Sequence, residues 1–191
     1  MAKGLSKKAL QFEILNNKTV KKFIRDSVVK EIEIQKNLFL NEFESHPVTE
    51  EIEGGANASN ISGTLGGYGN LYSFLGFSNS APTAPVKFLI KRIVVNKTPI
   101  VKNYGYQFKI IVPSKDEFAA VTKLPWEGGR SWLFDIEKTI SGLGAFLYGR
   151  FSASRSGGGI QSKYNYSGRI FKPTKYFTNM YNKFLFKIGA K

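Results

Sequence analysis

A long amphipathic helical pattern stops at Pro47, and the thirty-one residues from there to Phe77, PVTEEIEGGANASNISGTLGGYGNLYSFLGF, hold seven of the chain's nineteen glycines. Glycine loses more backbone freedom on folding than any other residue, so this density predicts turns, positive φ angles or close backbone approach. Apolar residues return at its end in Leu71, Tyr72, Phe74, Leu75 and Phe77, which a disordered linker would not need. The stretch reads as an ordered elbow joining two different kinds of structure.

Before the elbow, residues 6–16 carry a short helical pattern, and after the NNK break apolar residues recur at Phe23, Ile24, Val28, Ile32, Phe39 and Phe43, with Gln35 between. That three- and four-residue spacing predicts one long helix with a buried stripe and a charged outer face. Pro47 is expected to end it, since proline cannot continue the hydrogen-bond ladder. Beyond the elbow, residues 86–96, VKFLIKRIVVN, form a β-prone run, and residues 100–112 alternate so that Tyr104, Tyr106, Phe108 and Ile110 share a face. Joined through residues 97–99, the two runs predict a β-hairpin.

Ser114 followed by Glu117 is a capping-box pattern opening a short helix through Val121. Residues 123–129 read as a loop, and residues 132–136 and 145–148 as two short strands. Pro173 and Thr174 then precede a last helix with Phe177, Tyr181, Phe184 and Ile188 on one face. The expected organisation is a single domain over 1–191. It comprises a helical arm (1–46), the Gly-rich elbow (47–85), a β-sheet region (86–172) with a basic loop (150–169), and a C-terminal helix (173–191).

A chain of 191 residues that folds compactly buries roughly 70% of the surface it exposes unfolded, and 42% hydrophobic with 14% aromatic residues excludes wholesale disorder. The formal charge of +14 is unevenly spread: nine of fourteen acids lie between Glu13 and Glu53, while residues 138–191 hold ten Lys or Arg and no Asp or Glu. Clustered cations attract polyanions or an acidic protein neighbour. With no Cys, neither a disulfide framework nor a thiolate metal site can form. The N-terminal residues lack an apolar core and a small-residue cleavage site, and no window reaches eighteen apolar residues, so neither signal-peptide export nor a membrane span is expected.

The catalytic inventory is thin. His46 is the only histidine, and beside a helix-ending proline it is expected to cap carbonyls rather than bind metal. Asp116 with Glu117 reads as helix N-terminal charge, and Asp135 with Glu137 as an exposed pair on one face of a strand. GTLGGYGN lacks a Gly-Lys-Ser or Gly-Lys-Thr ending, matches no G-x-G-x-x-G, and is followed by a β-like aromatic run, so a phosphate loop is rejected. No G-x-S-x-G occurs either. No catalytic residue, metal ligand or cofactor site is assigned. What remains is a basic segment interleaved with aromatics: Arg150, Phe151, Arg155, Lys163, Tyr164, Tyr166, Arg169, Phe171 and Lys172. Such a pattern suits stacking on single strands, and equally a strand with one buried face.

The order of these parts resembles the neck and tail-completion proteins of long-tailed bacteriophages, the minor tail protein Z-like group. Members lead from a long N-terminal helix through an elbow with a G-N-L or G-R-L step to a curled antiparallel sheet, and end in a helix introduced by a proline. Here the helix spans 18–43, the step is Gly69, Asn70, Leu71, and Pro173 introduces the last helix. HPVTEEI followed by GTLGGYGNLYSFLGF also looks like structural proteins of contractile-tailed phages. The chain departs from the group in a longer Gly-rich insertion and in its SRSGGGIQ loop.

The resemblance implies an α+β fold, a long N-terminal helix packed on a curled antiparallel β-sheet with a C-terminal helix. It implies a non-enzymatic virion protein, assembled in the host cytoplasm, forming a homomeric ring of six between the head connector or adaptor and the tail terminator, with DNA passing through. A ring needs two different surfaces of one subunit to meet. The charge split suggests Glu42, Glu44, Glu50, Glu51 and Glu53, with Leu71, Phe74 and Phe77 anchoring the elbow, against the basic third of a neighbour. Arg150, Arg155, Lys163, Arg169 and Lys172 are the candidates for facing DNA or a partner. The alternatives are a sequence-independent nucleic-acid-binding protein using that basic third and, on the two carboxylate pairs alone, a cell-wall hydrolase.

Overall fold

The computed structural model describes residues 6–65, 69–78, 81–102, 105–124, 127–138 and 173–189. Helix α1 (Lys7–Asn16) runs into α2 (Lys18–Glu44) across Asn17, whose side chain accepts from the backbone N–H groups of Thr19 and Val20. That cap is the physical content of the NNK break. Along α2 the buried residues are Ile32, Phe39 and Phe43, with Val28 packed at the edge of the core. Phe23 leaves the expected stripe and stands 71% exposed. It lies nine residues before Ile32, which at about 100° per residue is the opposite side of the helix.

Pro47 ends α2 and also begins α3 (Pro47–Glu53), because its fixed φ suits a first helical position. His46 accordingly does not cap the carbonyls of α2; its Nδ1 accepts from the N–H of Val48, 3.2 Å away, as the N-cap of α3. A 3-10 turn follows at Gly55–Asn57. The aromatic run expected to be β-like opens as a single helical turn, α4 (Leu71–Phe74), capped by the Asn70 side chain on Ser73.

The β-prone run 86–96 is mostly helix. In α5 (Ala84–Lys91), Pro85 sits at the start, and Val86, Leu89 and Ile90 are buried. Branched residues tolerate either state, and burial against the rest of the core decides between them. Only Val94–Val95 remains as β1. The second run is divided into β2 (Ile100–Lys102), β3 (Gly105–Gln107) and β4 (Ile110–Ile111). β2 and β3 pair antiparallel with each other, and the expected hairpin between the two runs is reduced to Val94 opposite Ile111 and Val95 opposite Ile110. Tyr104 lies outside the described residues.

The capping box at Ser114 and Glu117 is formed and opens α6 (Lys115–Val121). The expected loop at 123–129 contains an antiparallel pair, β5 (Lys123–Leu124) with β6 (Glu127–Ser131). The expected strand after it is a helical turn, α7 (Trp132–Asp135), which buries Trp132, Leu133 and, one turn on, Ile136. A strand would have pointed Leu133 away from Trp132. The strand expected at 145–148 lies outside the described residues. The final helix, α8 (Phe177–Lys187), starts three residues beyond Thr174, with Tyr176 at its N-cap. Glu137 supplies the missing cap from a distance, its Oε1 accepting from the N–H of Thr178 at 2.5 Å.

The fold is α+β, with a long N-terminal helix, small antiparallel sheets and a C-terminal helix. Among the described residues the β component is three separate two-stranded pairs rather than one curled sheet. The long helix therefore packs helix on helix. Phe39 stacks on Phe184 with ring centroids 5.2 Å apart, and Phe43 on Tyr176 at 5.8 Å. Phe177 joins them, 4.6 Å from Phe118 and edge-on to Phe134 at 5.8 Å. Tilted and edge-on aromatic pairs add roughly 0.5–1.5 kcal/mol each beyond burial, so the cluster locks α2, α6, α7 and α8 together.

Candidate functional site

The elbow is built around one carboxylate. Glu51, on α3, is wholly buried. Its Oε1 accepts from the side-chain amide of Asn60 at 2.9 Å and from the backbone N–H of Leu71 at 2.7 Å, and its Oε2 from the N–H of Ser62 at 2.9 Å. Asn60 passes the connection on by accepting from the N–H of Leu65, and Asn70 donates to the carbonyl of Ala56 at 2.7 Å. Gly63 at φ +66° and Gly69 at φ +69° provide left-handed corners flanking these contacts, conformations an L side chain resists. The described part of the glycine-rich stretch is thus wrapped inward onto Glu51.

The other acidic candidates divide by their partners. Glu42 pairs with Lys183 of α8 at 2.9 Å, across an exposed surface. Lys87 of α5 bridges Glu44 at 3.3 Å and Glu53 at 2.7 Å, and Glu53 also accepts from the Thr83 hydroxyl. Burial opposes the Lys87 charge, but the two carboxylates outweigh it and hold its pKa above the ordinary lysine value. Glu50 stands exposed in the first turn of α3. Leu71 is fully buried, and Phe74 and Phe77 pack against the core, Phe77 edge-on to Trp132 at 5.7 Å.

Glu51 and Leu71 are therefore spent within the chain and present nothing to a second copy. Glu42, Glu44 and Glu53 spend charge on internal pairs, and Glu50 faces solvent. The five basic candidates, Arg150, Arg155, Lys163, Arg169 and Lys172, lie outside the described residues.

Behind α3 sits a second buried group. The Tyr176 hydroxyl is 2.5 Å from that of Thr49, and the His46 ring lies 4.7 Å from the Tyr176 ring. Burial pushes the Tyr176 phenol far above its ordinary range and lowers the His46 imidazole below 6.5, against the pull of nearby Glu42 and Glu50. Both shifts favour the neutral form, so this corner holds α3 to α8 as an uncharged contact.

Residue patterns missed two of these partners. The donors to Glu51 lie nine, eleven and twenty residues away, separations that no periodic signal reports. Glu137 was read as an exposed strand residue, and its capping of α8 follows only from α7 being helical. Asp135, its supposed companion, instead binds Arg130 at 2.8 Å.

Apolar side chains also reach solvent. On α2, Phe23, Ile34 and Leu38 are exposed, and on the hairpin side Val94, Ile100, Val101 and Ile111 are exposed. A groove of about 430 Å³ beside them is lined by Ile100, Phe108, Ile110 and Ile188, with Lys109 at its edge.

Among the described residues no cluster of three His, Asp or Glu side chains is placed to hold a metal, and no helix is long and apolar enough to cross a membrane. Compared with known protein families, with curated proteins and with solved structures, the chain finds no match.

Proposed function

We propose that the chain is a non-enzymatic structural protein of a tailed-phage virion, forming a homomeric ring, a hexamer, in the neck or tail-completion region. Its neighbours in that reading are the head connector or adaptor on one side and the tail terminator on the other. It is assembled in the host cytoplasm and retained in the virion, and it lets DNA pass without reading its sequence.

The observation that carries the reading is that the chain satisfies its core and its elbow internally, yet leaves apolar side chains exposed on both the long helix and the hairpin. Two different apolar surfaces on one subunit are what a head-to-tail ring requires. The order of long helix, Gly-Asn-Leu step, antiparallel pairs and final helix supports the same class.

Electron microscopy of the purified protein, with light scattering at low and high salt, tests this. A ring with a central hole is expected; a monomer at every salt and concentration overturns it. One observation favours a second reading, sequence-independent nucleic-acid binding: the ten cations without an acid between residues 138 and 191. A salt titration of DNA binding separates the two, since a true binder loses affinity steeply with salt and a ring component shows a shallow slope.

A further inference from the structure

We propose that the outer face of α2 in one copy docks, by its C-terminal half, into the groove beside the β2–β3 hairpin of the next copy. This rests on the ring reading and names the contact that would close it.

The α2 face is defined by periodicity and exposure together. Phe23, Ile34 and Leu38 are 71%, 43% and 48% exposed, and their spacings place them within about 60° of one another around the helix. They lie opposite Ile32, Phe39 and Phe43, which fill the core. A helix that needed only one chain would carry polar residues there.

The receiving surface is the groove walled by Ile100, Phe108, Ile110 and Ile188. Its volume of about 430 Å³ has room for aliphatic side chains such as Ile34 and Leu38.

Charge selects a second copy as the occupant and sets its direction. From Glu31 to Glu44 the helix carries four acids against Lys36 alone. Glu31 and Glu33 flank Ile34, Glu31 accepting from Gln35 and Glu33 pairing with Lys36. The hairpin side is the reverse. No Asp or Glu occurs from residue 54 to 115, and Lys97, Lys102 and Lys109 are exposed along it. An acidic rim around apolar knobs thus meets a basic rim around an apolar groove, which steers encounter and disfavours the wrong register. The basic N-terminal half of α2, with Lys18, Lys21, Lys22, Arg25 and Lys30, would be repelled by the same groove. Because knob and groove are different surfaces, each bound copy still offers one of each, and the contact repeats until it closes.

The test uses two variants of the full chain and their mixture. Ile34→Glu with Leu38→Glu breaks the knob, and Ile100→Glu breaks the groove. All three positions are exposed, so circular dichroism should match the wild type; if a variant loses helix, Ile34→Gln with Leu38→Gln and Ile100→Thr replace it.

Each variant alone is expected to self-associate at least about tenfold more weakly than the wild type. An equimolar mixture is expected to form one-to-one dimers and stop there, since one intact knob meets one intact groove. Raised salt should weaken both the wild-type assembly and the mixed dimer. If both variants still form wild-type rings, this contact is wrong while the ring reading stands. A mixture that recovers nothing overturns the knob-and-groove assignment, pointing to a symmetric contact or another surface. A wild type monomeric under all conditions removes ring and contact together, leaving the helix face to a different protein.

Discussion

The elbow and the hairpin are both turn-rich connections, yet they handle polarity in opposite ways. In the elbow a carboxylate is buried and given its donors by the same chain, and the glycine corners bring those donors round to it. In the hairpin the backbone pairs locally, through Ile100 opposite Gln107 and Val101 opposite Tyr106, while Ile100 and Val101 stay exposed. The contrast teaches where folding energy and binding energy are stored. A buried charge with a full set of partners stabilises one conformation and cannot be lent to a neighbour. An exposed apolar side chain contributes little to folding and remains available for association.

The largest effect should come from Glu51→Ala. It strands the N–H groups of Ser62 and Leu71 and the Asn60 amide in a buried site, and a loss of about 3 kcal/mol or more in urea unfolding is expected, given a penalty of roughly 1–3 kcal/mol per unsatisfied group. A loss below about 1 kcal/mol would mean that water replaces the carboxylate and that the elbow is not built on it.

Next is Gly69→Ala. The site has open space around a built Cβ, so the cost is conformational alone, about 1–2 kcal/mol for holding an L residue at φ +69°. No change in the thermal midpoint would show that this corner is free to relax.

His46 offers a smaller, pH-dependent effect. Burial holds its folded pKa below 6.5, so as pH falls through 6.5 the unfolded chain takes up a proton before the folded chain does. Stability is full above that value and declines below it, until the folded state also protonates. His46→Asn keeps an N-cap acceptor for Val48 and is expected to flatten the decline of the urea midpoint between pH 7 and 5. An unchanged slope would place the titration elsewhere.

The smallest stability effect belongs to the hairpin. Ile100→Thr should shift unfolding by less than about 0.5 kcal/mol, although the same position is expected to matter for assembly. A large stability loss there would erase the contrast between the two regions.

Parts of the fold were legible because their determinants are local. The capping box at Ser114 and Glu117 needs residues three apart, the Asn17 cap two or three apart, and the buried faces of α2 and α8 one helical period. The class, α+β with helices at both ends of the chain, follows from such signals. Residues 86–96 and 132–136 were not legible as helix, since branched and aromatic residues suit strands equally well and only the shape of the surrounding core chooses. The single curled sheet expected for the middle of the chain fails for the same reason: once Val86, Leu89 and Ile90 turn inward on a helix, only Val94 and Val95 remain to pair with Ile110 and Ile111.

Of the candidate surface, the charge split and the glycine-rich elbow could be read in advance, whereas the direction in which each side chain points could not. Composition and short-range spacing determine which residues are able to turn, cap or form a helix. Whether Glu51 faces a neighbour or the protein's own backbone depends on donors up to twenty residues away, and whether Phe23 is core or surface depends on where the packed part of α2 begins. Those are properties of the packed chain, set when distant segments compete for the same buried space.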